Sequence, residues 1–133
     1  MNKILVEVSV GELLDKISIL EIKKEKIKDP EKLKFINDEY DILKDQLNKN
    51  VKSDEMLDNL FQSLKEINAK LWVIEDDKRL CEKNSEFGEK FTKLSRDVHL
   101  LNDKRARIKL EINTRTGSKI KEKIGRASCR ERV

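Results

Sequence analysis

The alternation of apolar and polar positions predicts that the chain opens with a strand and continues in helices. Over residues 3–10, β-branched and other apolar side chains recur at every second position, which is typical of a β-strand. Ser9 followed by Glu12 matches the capping box that begins many helices. Because a single strand cannot satisfy its own backbone groups, we expect it to pair after Gly117 or with a second copy of the chain.

A helical period follows and is interrupted once, at Asp29-Pro30. Proline disfavours helical geometry in the residue before it and suits the first turn of a new helix. The pattern therefore predicts two separate helices in place of one continuous helix over residues 10–48. After the polar segment 48–53, Ser53 is a candidate cap for a third helix.

The second half of the chain carries two heptad seams. Their members are spaced alternately by three and four residues: Leu60, Leu64, Ile67, Leu71, Ile74, Lys78 and Cys81, then Phe91, Leu94, Val98, Leu101, Arg105, Ile108 and Ile112. Such spacing is typical of coiled-coil helices. Gly88 marks a tight turn between the seams. We therefore expect an antiparallel hairpin with Leu71 beside Leu101 and Leu64 beside Ile108.

These elements predict an all-α fold: an antiparallel helical hairpin in a coiled-coil bundle of three to four helices, with a short N-terminal strand-like segment. The helical domain is expected over residues 1–118, followed by a truncated segment over 119–123. Residues 124–133, IGRASCRERV, differ in composition from the rest, and their back-translation resembles a sequencing adapter. We therefore predict that this tail is not native and that the natural C-terminus is missing.

Composition narrows the classes of function. The net charge is +4, and the three Arg and one Glu of the tail contribute +2 of it, so the remaining chain is only weakly basic. Lys and Glu are interleaved, which does not favour nucleic-acid binding. No apolar run approaches the ~18 residues of a membrane span, and the apolar start is too short for a signal peptide. We expect a cytoplasmic protein.

Cysteine content and motifs indicate no cofactor. Cys81 is the one cysteine before the tail, so neither a disulfide framework nor a cysteine-rich metal cluster is predicted. His99 is the only histidine and has no second histidine with which to bind zinc. Glycine-rich phosphate loops and catalytic serine motifs are absent from the sequence.

Three blocks in this order carry a family resemblance: VEVSVGELLDKISILEIKKEKI, LWVIEDDKRLCE and EFGEKFTKLSRDVHLLNDKRARIKLEIN. Over residues 4–123 the chain resembles an uncharacterised family of short bacterial helical proteins, a domain of unknown function. The resemblance implies a small, helical, bacterial, cytoplasmic protein without an established activity, and a link with cell-surface sugars. Two positions depart from the family pattern: Lys78 stands where an apolar residue is usual, and His99 where Tyr is usual.

The strongest candidate for chemistry is Arg105, which lies in the seam opposite Ile67. A charge there costs several kcal/mol unless it is paired. We expect a carboxylate partner from the first two helices, either Asp15 or Glu21. Alternatively, Arg105 and Asn102 hold a small anion.

The remaining candidates for an anion or interaction site are charged or aromatic side chains near the seams. They are Asp103, Lys16, Glu75, Asp76, Arg79 and Trp72. Each also has a structural interpretation. Asp76 is expected to form an ion pair with Arg96 across the hairpin, and Trp72 to pack against the first two helices.

Two functions follow, and they differ in what should surround Arg105. The first is a small non-catalytic helical interaction or assembly module, with a protein partner or a second copy of itself. The second is a helical-bundle enzyme or binding protein for a small anionic ligand centred on Arg105. A pocket lined by Arg105, Asn102 and Asp15 would favour the ligand, and a filled seam would favour the module.

Overall fold

The computed structural model describes residues 3–117, which form an all-α bundle as predicted. Its helices are α1 (Val10–Lys26), α2 (Pro30–Asn50), α3 (Glu55–Lys83) and α4 (Glu89–Thr116). None of the helices in this part of the chain is long and apolar enough to cross a membrane. The tail and residues 119–123 lie outside the described residues.

Two of the predicted helix ends are confirmed, and a third helix ends at a glycine. The Ser9 hydroxyl accepts a hydrogen bond from the backbone N–H of Glu12 at 3.1 Å, which begins α1. Asp29 caps α2, with Pro30 at its first position. Gly117 ends α4 with a positive φ of 68°, a conformation that glycine adopts without strain.

The prediction that Ser53 caps α3 is wrong. Asp54 takes that position, and its carboxylate accepts a hydrogen bond from the N–H of Leu57 at 2.7 Å. Ser53 instead donates to the carboxylate of Asp58. The negative charge of Asp54 interacts favourably with the positive end of the helix dipole, an advantage that a serine lacks.

Helix α1 is the central element, since it packs against each of the other three. Gly11 lies beside Asn113 and Asp15 beside Arg105, so α1 and α4 run antiparallel. Since α4 also runs antiparallel to α3 in the hairpin, α1 and α3 run parallel. The bundle is thus up-down-up-down, and α2 covers the outer side of α1.

The predicted hairpin is formed by α3 and α4, which a short connection over residues 84–88 joins. Leu60, Leu64 and Ile112 are buried in one cluster, and Ile108 packs against it. These neighbours agree with the predicted register, in which Leu64 faces Ile108. Leu14 of α1 belongs to the same cluster and closes it from the third side.

The hairpin is longer than the helix that covers it. We call residues 55–71 and 105–116 the basal half of the hairpin, and residues 72–104 the distal half. Four seam residues of α3 are buried in the basal half, together with Leu57 one turn earlier: Leu60, Leu64, Ile67 and Leu71. In the distal half, all of which the structure describes, only Cys81 is fully buried. The distal half therefore projects beyond α1 with little cover.

The predicted strand is not formed within the described residues. Residues 3–9 have no regular secondary structure, and Ile4, Leu5 and Val6 are 86%, 92% and 73% exposed. The physical reason is the one anticipated from the sequence: no second strand is present between residues 3 and 117 to satisfy the backbone. The segment after Gly117 that could supply one lies outside the described residues.

Candidate functional site

A carboxylate at the centre of the bundle organises the polar interior. Asp15 of α1 is 1% exposed and accepts hydrogen bonds from the guanidinium of Arg105, with 2.9 Å from Nε to Oδ1 and a second contact between Nη2 and Oδ2. Asn68 of α3 donates to the same carboxylate at 2.8 Å. The prediction that Arg105 pairs with Asp15 or Glu21 is confirmed for Asp15.

Ser18 completes the link between α1 and α3. Its hydroxyl accepts a hydrogen bond from Asn68 at 2.7 Å and donates to the backbone carbonyl of Asp15 at 2.7 Å. One turn of α1 therefore binds the side-chain amide of Asn68 twice. Such a connected network satisfies polar groups that would otherwise destabilise the interior.

Lys109 extends the network toward the start of α1. Its ammonium lies 2.6 Å from the carboxylate of Glu12 and 3.7 Å from that of Asp15, although the residue is 8% exposed. Two cations, Arg105 and Lys109, thus meet two carboxylates, Glu12 and Asp15. We call this set, together with Asn68 and Ser18, the polar belt; its formal charges balance.

Helices α1 and α4 approach most closely at Gly11. Its backbone N–H donates to Oδ1 of Asn113 at 2.6 Å, and a Cβ at this position would lie 2.5 Å from the carbonyl oxygen of Lys109. Only glycine permits this approach. The Nδ2 of Asn113 is buried and has no hydrogen-bond partner within residues 3–117.

Several belt residues were not predicted as functional or paired groups. They are Glu12, Ser18, Asn68 and Lys109; Asn113, which bonds to Gly11 and is not part of the belt, was not predicted either. The signal that could have found Lys109 is its spacing of four from Arg105, which places both cations on the same face of α4. The heptads of the hairpin do not indicate which flank of each seam is buried, because α1, a third helix, determines which flank is covered.

A cleft of ≈ 280 Å³ opens beside the belt, where the C-terminal part of α1 meets α3. It brings together four of the predicted site residues: Trp72, Glu75, Arg79 and Arg105. Ile19 and Ile22 of α1 line the same cleft, so Trp72 lies on the side of α3 that faces the first helix, and its packing against that helix stays a prediction. Asp15 and Asn102 do not line this cleft.

The other predicted site residues are dispersed. Lys16 lies 3.8 Å from Glu12 within α1, and Asp103 lies 3.6 Å from His99 within α4. Asn102 accepts a 3.4 Å hydrogen bond from Arg105.

The expected ion pair between Asp76 and Arg96 is wrong. Asp76 instead pairs with Arg79, three residues further along α3. The side chains of Asp76 and Arg79 both lie on the exposed surface. There, pairing with a neighbour on the same helix requires less ordering of the side chains than pairing across the hairpin.

Glu21 joins α1 to α2 and α3. It accepts a hydrogen bond from the Tyr40 hydroxyl of α2 at 3.2 Å and pairs with Lys65 of α3 at 3.1 Å. Burial, together with the charge of Glu21 and the hydrogen bond to it, raises the pKa of Tyr40. Burial lowers the pKa of Lys65, but hydrogen bonds to Glu21 and Glu25 outweigh it, so that pKa is raised.

The chain matches a family of unknown function, DUF6165, over residues 4–130. It belongs to this family. The DUF6165 match covers every described helix and also seven residues of the tail, whose origin from an adapter stays a prediction. No curated protein and no solved structure matches the chain.

Proposed function

We propose that this protein is a non-catalytic helical interaction module that docks on another polypeptide through the distal half of its hairpin. The observation that carries the proposal is the apolar surface there. Val73 and Leu100 are 50% exposed, Leu80 is 52% exposed and Phe87 is 59% exposed. Val73 and Leu100 line the same depression of the surface, and a contiguous exposed apolar surface with a polar rim is typical of a protein contact site.

The polar belt supports a structural role more than a catalytic one. A general acid or base must reach the proton that it transfers, whereas Asp15 is almost fully enclosed and already accepts hydrogen bonds from Arg105 and Asn68. Its cationic partners are in turn neutralised by Glu12 and Asp15. The belt therefore stabilises the packing of α1 on the hairpin, and the distal half remains as the surface for docking.

We place the module in a bacterial cytoplasm and link it to cell-surface sugar metabolism. This part of the proposal is supported by the sequence resemblance described above.

Site-specific photo-crosslinking tests the module in the cells from which the chain derives. A benzophenone amino acid at Leu100 should give a covalent adduct with a polypeptide, because this side chain would lie in the contact. The matched control is the same substitution at Phe35, an apolar residue of α2 that is also exposed. Equal labelling from the two positions, or none from Leu100, would contradict the proposal.

A second function is favoured by the cleft, and we propose it as the alternative: binding of a small anionic ligand. Trp72 supplies an apolar wall, and Arg79 and Arg105 supply cations. Its volume is near the lower end of the ~300–1,000 Å³ usual for ligand pockets, and both cations already have carboxylate partners. These features make it the weaker candidate.

Inorganic phosphate is the simplest probe for this cleft. A ligand that binds only the folded state raises the melting temperature, and the rise grows with the logarithm of the ligand concentration above its dissociation constant. The alternative predicts such a rise for the native chain and its loss in Arg79→Gln. No rise, or the same rise in Arg79→Gln, would remove the alternative.

A further inference from the structure

A groove lies on the side of α3 that faces away from the cleft, mostly in the distal half and extending to Ala69 and Lys70 at the end of the basal half. It is an open depression of ≈ 600 Å³ between α3 and α4. Its lining is mainly apolar, with charges at the two ends: Ala69, Lys70, Val73, Ile74, Asp97, Leu100, Leu101 and Lys104. This groove is the central part of the docking surface proposed above.

The charges are distributed unevenly along the groove. On α4, Asp97 and Lys104 are seven residues apart, which is about 10 Å along the helix, and Leu100 and Leu101 lie midway between them. Lys70 of α3 lies at the same end as Lys104, because the two helices are antiparallel. One end of the groove is therefore cationic, the other end is anionic, and the middle is apolar.

We infer that the groove binds a second copy of this chain, related by a two-fold axis perpendicular to the helices and passing near Leu100. This inference rests on the proposed module. An antiparallel copy centred there places each Asp97 opposite the Lys104 and Lys70 of its neighbour, and sets Leu100 on Leu101. An interface of this kind is self-complementary, as a two-fold dimer requires.

The charges also select this arrangement over the other two-fold pairing. A two-fold axis parallel to the helices would bring Lys70 and Lys104 of both copies to the same end of the interface. Juxtaposed like charges cost several kcal/mol at an interface and exclude the wrong orientation. Asp97 has an intrahelical partner, Lys93, at 3.0 Å, but that side chain is 76% exposed and can remain at the rim.

Charge reversal tests the inference by sedimentation of the full chain. We expect the native chain to dimerise, and both Asp97→Lys and the double variant Lys70→Glu/Lys104→Glu to raise the dissociation constant by about tenfold or more. Mixing the two variants should restore dimers, because every facing pair is then of opposite charge. The matched control is Asp45→Lys, which also removes an i, i+4 pair with a lysine but lies on α2.

A disulfide test is independent of those charges. In a chain carrying Cys81→Ser and Cys129→Ser, Leu100→Cys should link two copies on oxidation, since the axis passes beside it. Leu80→Cys is equally exposed but about 25 Å from its symmetry mate at 1.5 Å per residue, so it should not.

The dimer would be overturned by any of three results. The native chain sediments as a monomer, the mixed charge variants do not associate, or Leu80→Cys forms as much intermolecular disulfide as Leu100→Cys. If the native chain is monomeric and the Leu100 photo-adduct contains a different polypeptide, the dimer is wrong and the module stands. If no adduct forms and the chain is monomeric, both fail.

Discussion

The two halves of the α3–α4 hairpin carry the same kind of heptad seam and have different surroundings. In the basal half, Leu64 is fully buried and Leu71 is 9% exposed, because α1 covers the seam. Beyond Lys26 that cover ends, and the distal seam residues Ile74, Val98 and Leu101 are only partly buried. A heptad pattern thus determines which residues face the partner helix, whereas burial depends on what lies on the third side.

Polar residues show the same difference between the halves. Next to the basal half, the buried carboxylate of Asp15 on α1 pairs with Arg105 and Lys109 of α4, so the pairs connect two helices. In the distal half, Asp76 and Asp97 form pairs within one helix at the surface. Surface pairs contribute little to stability, so the basal belt should dominate the energetics of folding and the distal surface should serve association.

The largest expected effect comes from breaking the belt. Asp15→Ala leaves Arg105 and Lys109 without their shared carboxylate, and removing one partner of a buried pair costs about 3–5 kcal/mol. Chemical denaturation at a fixed protein concentration measures the loss. Asp45→Ala, which removes the exposed pair with Lys49, should change the free energy of unfolding by less than about 0.5 kcal/mol. Equal losses would mean that the belt is not structurally central.

How far the sequence predicted this belt depends on the residue. A charge at a seam position has to be paired, and that argument predicted a carboxylate partner for Arg105, either Asp15 or Glu21, without choosing between them. Lys109 and Asn68 lie beside seam positions, and nothing in the heptads distinguishes a flank covered by α1 from one open to solvent. The N-terminal strand was overpredicted for a related reason: alternation shows that residues 3–8 can pair, but does not supply a partner.

Truncation of apolar residues compares the halves directly. Leu64→Ala removes a fully buried side chain from the basal cluster and should cost about 2–5 kcal/mol. Leu100→Ala removes a half-exposed one and should cost less than about 1 kcal/mol in the monomer. Both are measured by denaturation at a dilution where association is negligible. A similar cost at the two sites would show that the distal half is covered after all.

The close contact of α1 with α4 should be sensitive to a single methyl group. Gly11→Ala places a Cβ 2.5 Å from a backbone oxygen of α4, and relief of such overpacking typically costs about 1–3 kcal/mol. Gly88→Ala is the control, because its Cβ meets no atom of the described chain within 4 Å. The thermal midpoint should fall clearly for Gly11→Ala and by less for Gly88→Ala, where only the capping preference at the start of α4 changes.

The smallest effect is expected from alkaline pH. The pKa values of Tyr40 and Lys65 are raised in the folded state, so the folded chain retains protons that the unfolded chain releases. Tyr40 and Lys65 therefore stabilise the folded chain fully below their unfolded pKa values of about 10. This stabilisation is lost as the pH rises through their higher pKa values in the folded chain. Lys65→Met should flatten the fall in unfolding free energy above about pH 10; an unchanged slope would contradict this assignment.

Hydrogen exchange at increasing protein concentration tests the central claim, that the distal half is the docking surface, most directly. Amides in peptides from residues 69–80 and 94–104 should exchange more slowly as the concentration rises, because a second copy covers the groove. Peptides from residues 57–67 should exchange at a constant rate, since the basal half is already covered by α1. Protection that is uniform along the chain, or confined to α2, would contradict the claim.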